Sequence, residues 1–275
     1  MTEEGAVLEI HEVGLHVGIG DLIYSKSLLI GLEDTVVKVE LSPVCYAYRG
    51  PNYEPFATSL ARSIFSDEPF GFNDTPSGFE KKSWFELYDS GFRPSPISLV
   101  QHLAEGNSLR FKYACLNTKV RWVRRHDIMA VIRKFNAALK QLSKKMAIVI
   151  MGERGLDKNT PEYIEEEEIT FSLYPYLDKT DNMLDLTSPE LVMATPTIKG
   201  FRQDCKYLSE ASFAINVGSG GNSAMTASLS KNSITFLGDV GVPGFRDKYS
   251  HILEAINPNA KTFTNLNRFL AAMEG

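Results

Sequence analysis

What this 275-residue chain has little of narrows its class before any motif is read. It has three cysteines, Cys45, Cys115 and Cys205, scattered and odd in number. They exclude a disulfide framework and a cysteine metal site, and they predict buried thiols in a reducing cytosol. No run approaches the ~20 apolar residues of a membrane span. The opening MTEEGAVLEI is acidic, not basic and then apolar, so a secretory leader is not expected. Positive charge is not in excess either: the net charge of -5 argues against general nucleic-acid binding. No Asp-x-Asp motif and no His/carboxylate cluster occurs, so no divalent metal is implied. What remains is a globular, cytoplasmic protein whose 43% hydrophobic and 11% aromatic residues suffice for a packed core.

The most informative stretch present is 212–238. An apolar run, Phe213-Ala214-Ile215-Asn216-Val217, stops at Gly218-Ser219-Gly220-Gly221-Asn222-Ser223. A small-residue segment over 224–229 follows, then a second apolar run over 234–237. The simplest parse is strand, glycine turn, helix and parallel strand. The glycines allow positive φ and close backbone approach. A helix starting near Asn222 would aim its unpaired N–H groups into the turn, which suits an anion. The same pattern also serves as a plain connection without a ligand.

Taken in order, residues 6–13 predict a strand, 22–32 a helix and 36–41 a β-branched second strand. Gly18 and Gly20 between the first two match part of the dinucleotide fingerprint, but Ile23 occupies its third position; Glu40 closes the second strand. Asp21, at the mouth of this turn, could serve as a general base or could cap the helix. A helix over 53–65, a short strand over 70–72 and a short helix over 98–104 follow. Trp84, Phe85, Tyr88, Phe92 and Arg93 would line either a binding surface or a core. A polar break at 105–108 divides the chain into a short first domain, 1–107, and a second, 108–275.

In the second part, strands are expected at 110–116, 146–151, 170–174 and 261–263. Helices are expected at 127–145, 198–210, 245–256 and 266–273, with a further start at Thr160-Pro161-Glu162. The helix over 127–145 carries Arg133, Lys134, Lys140, Lys144 and Lys145 on one face, either solvated or against an acidic lipid or anionic acceptor. Residues 165–168 form an exposed acidic run, and His126 is expected at a helix start on the surface, with a catalytic role as the alternative. Strands and helices alternate to the end, which predicts a doubly wound sheet.

These residues resemble the ADP-heptose:lipopolysaccharide heptosyltransferase family (glycosyltransferase family 9) and related GT-B glycosyltransferases. The 218–223 turn, the alanine-bearing helix after it and the strand ending at Gly238 resemble that family's donor-domain signature. Gly18-Ile19-Gly20-Asp21 looks like its Gly-x-Gly-Asp turn. Asn117-Thr118-Lys119-Val120-Arg121 falls where the family keeps a basic residue for the donor diphosphate, and Gly152-Glu153-Arg154 where it makes nucleotide contacts. The family's usual His in the C-terminal helix turn is absent (Met225 or Ala224 stands there), and Gly218 replaces its usual Asp.

The resemblance implies an α/β protein of two Rossmann-like, doubly wound domains facing across a cleft, the N-terminal one short. It implies sugar transfer from a nucleotide-sugar to a hydroxyl acceptor on a carbohydrate, glycoconjugate or protein, with Asp21 as base and no metal or other cofactor. Lys119, Arg121, Glu153, Arg154, Gly218, Ser219, Gly220, Gly221, Asn222 and Ser223 would hold the donor, and Gly18 and Gly20 would lie on the acceptor side. Membrane contact would be peripheral at most, and nucleic acid is not a partner. A sugar-nucleotide epimerase or hydrolase, or a non-catalytic nucleotide-sugar-binding or scaffold protein, remain alternatives on the same scaffold.

Overall fold

The computed structural model describes residues 9–16, 18–32, 35–41, 53–67, 70–74, 77–155, 169–187, 198–238 and 244–274. It divides into two compact units, Met1–Ser95 and Pro96–Gly275. The polar break at 105–108 therefore lies within the second unit. Residues before it already pack there: Ile97 donates its N–H to the Ile256 carbonyl and Leu99 to that of Ser228. The expected helix start at Thr160, the 165–168 acidic run and Cys45 fall outside the described residues.

The first unit contains β1 (Glu9–Leu15), α1 (Ile19–Leu29), β2 (Thr35–Leu41), α2 (Tyr53–Ile64), β3 (Phe70–Asn73), β4 (Lys81–Lys82) and α3 (Trp84–Asp89). Its four strands lie in the order β3-β2-β1-β4, all pairs parallel. Parallel sheets need cover on both faces, and α1 supplies part of it: every residue from Leu22 to Leu29 is buried. That includes Lys26, whose ammonium donates to the Ile64 carbonyl (2.6 Å) and Asp67 (2.8 Å), answering open acceptors at the end of α2. Trp84 joins this core, stacked on Phe85 (3.7 Å) and packed on Tyr24 (5.0 Å).

Glu40, at the end of β2, is 1% exposed. Its carboxylate accepts from the N–H groups of Ser77 (2.7 Å), Gly78 (3.2 Å) and Phe79 (2.8 Å) and from the Ser77 hydroxyl. It is thus occupied by its own chain, unlike the ribose-binding acid of a dinucleotide fingerprint. Burial would raise its pKa, but these hydrogen bonds outweigh burial and hold it below the ordinary 4.5.

The second unit contains α4 (Val100–Leu103), β5 (Tyr113–Asn117), β6 (Lys119–Arg121), α5 (Arg125–Met129), α6 (Ile132–Lys145), β7 (Ala147–Met151), β8 (Thr170–Ser172), β9 (Met183–Asp185), α7 (Ile198–Glu210), β10 (Phe213–Val217), α8 (Gly221–Leu229), β11 (Ser233–Phe236), α9 (Phe245–Ile256), β12 (Ala260–Phe263) and α10 (Leu266–Glu274). A 3-10 turn, Tyr174–Tyr176, stands where 170–174 predicted continuous strand. Six strands form a parallel sheet in the order β12-β11-β10-β5-β7-β9. This is the expected doubly wound arrangement. The sheet grows outward from β5 through β7 to β9, and α7 then returns the chain to β10 on the other side of β5. The strand order reverses between β5 and β10, and α/β sheets bind ligands beyond the strand ends at such a point.

The helix expected over 127–145 is broken at Ala130-Val131, where Val131 takes φ -120° and ψ 8°. Beyond the break, α6 buries Phe135, Ala138, Leu139 and Leu142 and leaves Arg133, Lys134, Lys140, Lys144 and Lys145 exposed. Cys115 and Cys205 are free and buried, and burial pushes both thiols up. Among the described residues no helix is long and apolar enough to cross a membrane.

Glu40→Gln is expected to cost about 2 kcal/mol of stability by weakening charge-assisted bonds to buried donors. Because the folded pKa is depressed, this stabilisation is fully present above 4.5 and is lost as pH falls through the folded value. Chemical denaturation at neutral pH and in acid should therefore show the deficit shrinking on acidification.

Candidate functional site

The reversal point of the second unit is closed by backbone fit. Gly218, just past β10, takes φ +93° and forms a parallel bridge with Arg121 of β6. Its N–H donates to the Phe236 carbonyl (2.7 Å), while the Ser219 N–H donates to the Arg121 carbonyl (3.0 Å). A Cβ on Gly218 would stand 2.0 Å from that carbonyl oxygen, so no other residue fits. Asn216 reinforces the bend by donating its amide to the Gly218 carbonyl (2.9 Å).

Gly220 follows at φ +108° and serves as N-cap of α8. The Arg121 side chain lies along it, its Cδ 3.3 Å from where a Cβ would begin. The Ser223 hydroxyl is wholly buried and donates to the Gly220 carbonyl (2.7 Å), so it holds the turn and does not face a ligand. The Ala224 N–H also donates to the Gly220 carbonyl. The N–H groups of Ser219 and Ala224 are thus used internally. Those of Gly221 and Asn222 open the first turn of α8, where the helix dipole is positive.

The basic residues come from the neighbouring strand end. At the end of β5, Asn117 accepts from the Asn222 amide (3.1 Å) and ties that strand end to the first turn of α8. Lys119 and Arg121 lie in β6, which pairs antiparallel with β8 and was not apparent from the sequence. The Lys119 ammonium is 3.4 Å from Glu153, with both side chains under 20% exposed (16% and 18%). Thr118 donates its hydroxyl to the carbonyls of Met151 (3.0 Å) and Glu153 (2.8 Å), fastening 152–153 beneath β6. Gly152, at φ +97°, leaves no room for a Cβ, which would meet Asn117 Oδ1 and Thr118 Oγ1 at 2.9 Å each.

Arg154 is held differently. Its Nε donates to Thr187 (2.8 Å), its guanidinium is 3.5 Å from Asp185, and it lies 5.2 Å from the Tyr174 ring. Burial would raise the Asp185 pKa, but bonds from Thr187, Tyr174 and Lys179 outweigh it and hold the carboxyl well below the ordinary range. Arg154 therefore belongs to a polar group at the end of β9. Lys119, Arg121, Glu153 and residues 218–223 are joined directly at the β5/β10 reversal.

Gly18, Gly20 and Asp21 belong to the first unit. Gly18 is the N-cap of α1 and Asp21 lies in its first turn. Asp21 Oδ2 is 2.4 Å from where a Cβ on Gly18 would stand, so the carboxylate folds back over the glycine. That is the placement of a first-turn acid closing a helix start.

Among the described residues no group of three or more His, Cys, Asp or Glu is placed to hold a metal. Sequence reasoning passed over Trp122, the residue after Arg121. Its ring lies 6.2 Å from Phe245, and the Arg121 guanidinium sits 5.7 Å over it. No signal short of the three-dimensional pairing of β6 with Gly218 would have marked it.

No family model and no curated protein matches the chain. Two solved structures are similar to it. One is the E. coli ADP-heptose LPS heptosyltransferase II, at 11% identity and a TM-score of 0.42, with 98% of this chain and 100% of that one covered. The other is the iron-containing dodecameric glycosyltransferase TibC from enterotoxigenic E. coli, at 13% identity and a TM-score of 0.47, with 84% of this chain and 59% of that one covered.

Of the three glycines of the turn, Gly218 and Gly220 have positive φ, yet they should differ. Gly218→Ala meets backbone and is expected to cost about 4 kcal/mol, whereas Gly220→Ala meets only a movable arginine and should cost about 2 kcal/mol. Thermal denaturation of the two variants checks the order.

Proposed function

We propose that the chain is a glycosyltransferase whose second unit holds the diphosphate of a nucleotide-sugar. The observation that carries this reading is the convergence at the β5/β10 reversal. Two positive-φ glycines, the start of α8 and the cations Lys119 and Arg121 meet there in one connected set. Oriented N–H groups and fixed cations suit a ligand with two phosphates. They also suit a reaction in which charge grows on a departing diphosphate. The acceptor hydroxyl oxygen forms a bond to the anomeric carbon while the bond from that carbon to the diphosphate oxygen breaks. The leaving group keeps the electron pair, and Asp21 is the proposed group that takes the acceptor's proton. The acceptor is a carbohydrate, a glycoconjugate or a protein hydroxyl. In this reading the cations and N–H groups neutralise the diphosphate, and no divalent metal takes part.

The position of Asp21 over Gly18 favours a second reading of that residue alone, in which it closes the first turn of α1. In that case the chain would bind a nucleotide-sugar through the second unit without Asp21 acting in transfer.

A thermal-shift screen of ADP, GDP, UDP, CMP and their sugars, with and without EDTA, tests the donor site. Stabilisation by one nucleotide that survives chelation is expected, and Arg121→Ala should weaken that ligand about tenfold or more. Silence across the panel would sink the reading. For Asp21→Asn, the expected outcome is turnover reduced about a hundredfold or more with donor affinity kept. A loss near 1 kcal/mol in stability with turnover intact would instead assign the residue to capping.

A further inference from the structure

Positive charge in this acidic chain is gathered in one stretch. Residues 110–154 hold twelve Lys and Arg against two acids, Asp127 and Glu153, although the whole chain has a net charge of -5. Lys119, Arg121 and Arg154 belong to the strand-end groups described above. Others cover the outer face of α6, where Arg133, Lys134, Lys140, Lys144 and Lys145 are exposed and the remaining exposed positions are Ala137 and Gln141.

Helix stability does not account for this face. α6 contains no Asp or Glu, so none of its cations has an acidic partner three or four residues away within the helix. Lys144 and Lys145 suit the negative end of the helix dipole. Arg133 and Lys134 do not: they stand in the first turn, at the positive end, where a cation is unfavourable. Like charges spread along about 21 Å of helix also repel one another. An arrangement that costs the helix stability points to an anion outside the chain.

The charge continues past the helix. Strands β5 and β7 are parallel neighbours whose first residues, Tyr113 and Ala147, are paired in register. Arg110-Phe111-Lys112 therefore enters the sheet beside Lys144-Lys145-Met146, and all three residues of 110–112 are exposed. At 47%, Phe111 is the most exposed large hydrophobic side chain among the described residues. Two exposed acids, Asp178 and Asp181, border the α6 face beside Asn136 and Ser143, and Lys179 stands between them.

We propose that this face docks on the surface of an anionic lipid bilayer, the α6 cations against headgroup phosphates and Phe111 entering the interface. A polybasic face with an apolar residue at its end matches such a surface in both charge and hydrocarbon. Nucleic acid would be matched in charge alone, because no aromatic is interleaved among the exposed cations of α6 to stack on bases. Phe111 precedes β5, and the proposed diphosphate site follows it, about 15 Å further along the strand. Docking at the near edge of the sheet thus leaves the strand ends of the site away from the lipid.

Sedimentation with phosphatidylcholine vesicles, alone and with about 30% phosphatidylglycerol, tests this at about 0.1 M salt. Binding to the anionic vesicles only is expected, with release at about 0.5 M salt. Lys140→Glu should weaken it about tenfold and Phe111→Ser about fivefold. Lys199→Glu makes an equal charge change at an exposed position of α7, on the opposite face of the sheet, and should stay within about twofold. Each variant replaces an exposed side chain, so the Tm should stay at that of the unsubstituted protein. No binding to anionic vesicles, or equal binding to neutral ones, would overturn the proposal. Equal losses for Lys140→Glu and Lys199→Glu would overturn it as well, since overall charge and not this face would then attract the vesicle. Displacement from the vesicles by single-stranded DNA at equal phosphate concentration would overturn it in favour of a nucleic-acid surface.

Discussion

The second unit depends on a contact with no slack, the backbone of Gly218 against the carbonyl of Arg121. The hydrogen bond from Ser219 to that carbonyl and the missing side chain on Gly218 let β6 lie directly against the end of β10. Everything proposed for the site follows from this approach. It sets the Arg121 side chain along Gly220, brings the start of α8 beside β6, and leaves Trp122 as the next residue, where the chain must turn sharply. With a Cβ at position 218 the strands would separate, and cations and helix start would no longer share one point. The specificity of the turn lies in that steric fact more than in the number of its glycines.

The first unit solves a related problem without a ligand. The Glu40 carboxylate is surrounded by three backbone N–H groups and a hydroxyl from 77–79, which is how a glycine-bearing loop holds an anion. Here the anion is part of the chain, and it fixes the loop that leads into β4. Lys26 does the converse, carrying a cation into the core to meet a carbonyl and a carboxylate at the end of α2. Buried charges in this unit are thus paired inside the protein, as the cost of desolvating them requires.

How much of this could be read from the residues depended on how local the cause was. Helix α7 was read to its ends, Ile198 and Glu210, because its apolar phase and the strand after it are written in neighbouring residues. The strand-turn-helix at 213–229 was equally plain, since glycine, small residues and a β-branched run follow one another. The break at Ala130-Val131 escaped because the apolar spacing continues across it, so periodicity alone sees one helix. Strand β6 escaped for a different reason: Lys119-Val120-Arg121 is extended only because β8 and Gly218 pair with it, and both lie far away in sequence. Asp21 could not be decided because a base and a helix cap call for the same side chain at the same place. The left-handed backbone at Trp122 has no sequence mark, since tryptophan is a residue that ordinarily avoids it.

The reversal that gathers these residues also orders events in time. Asn117 and Asn222, joined side chain to side chain, are 105 residues apart, and β5, at the centre of the sheet, gains its second neighbour only when β10 exists. During synthesis β5 and β7 are therefore complete while one edge of β5 is still bare, and that edge can pair with other chains. Contacts of such long sequence separation are slow to form, because loop closure opposes them before they stabilise anything. A ligand seated between β5 and β10 would engage only molecules that have passed this late step, and so would hold the sheet closed against reopening along its central seam.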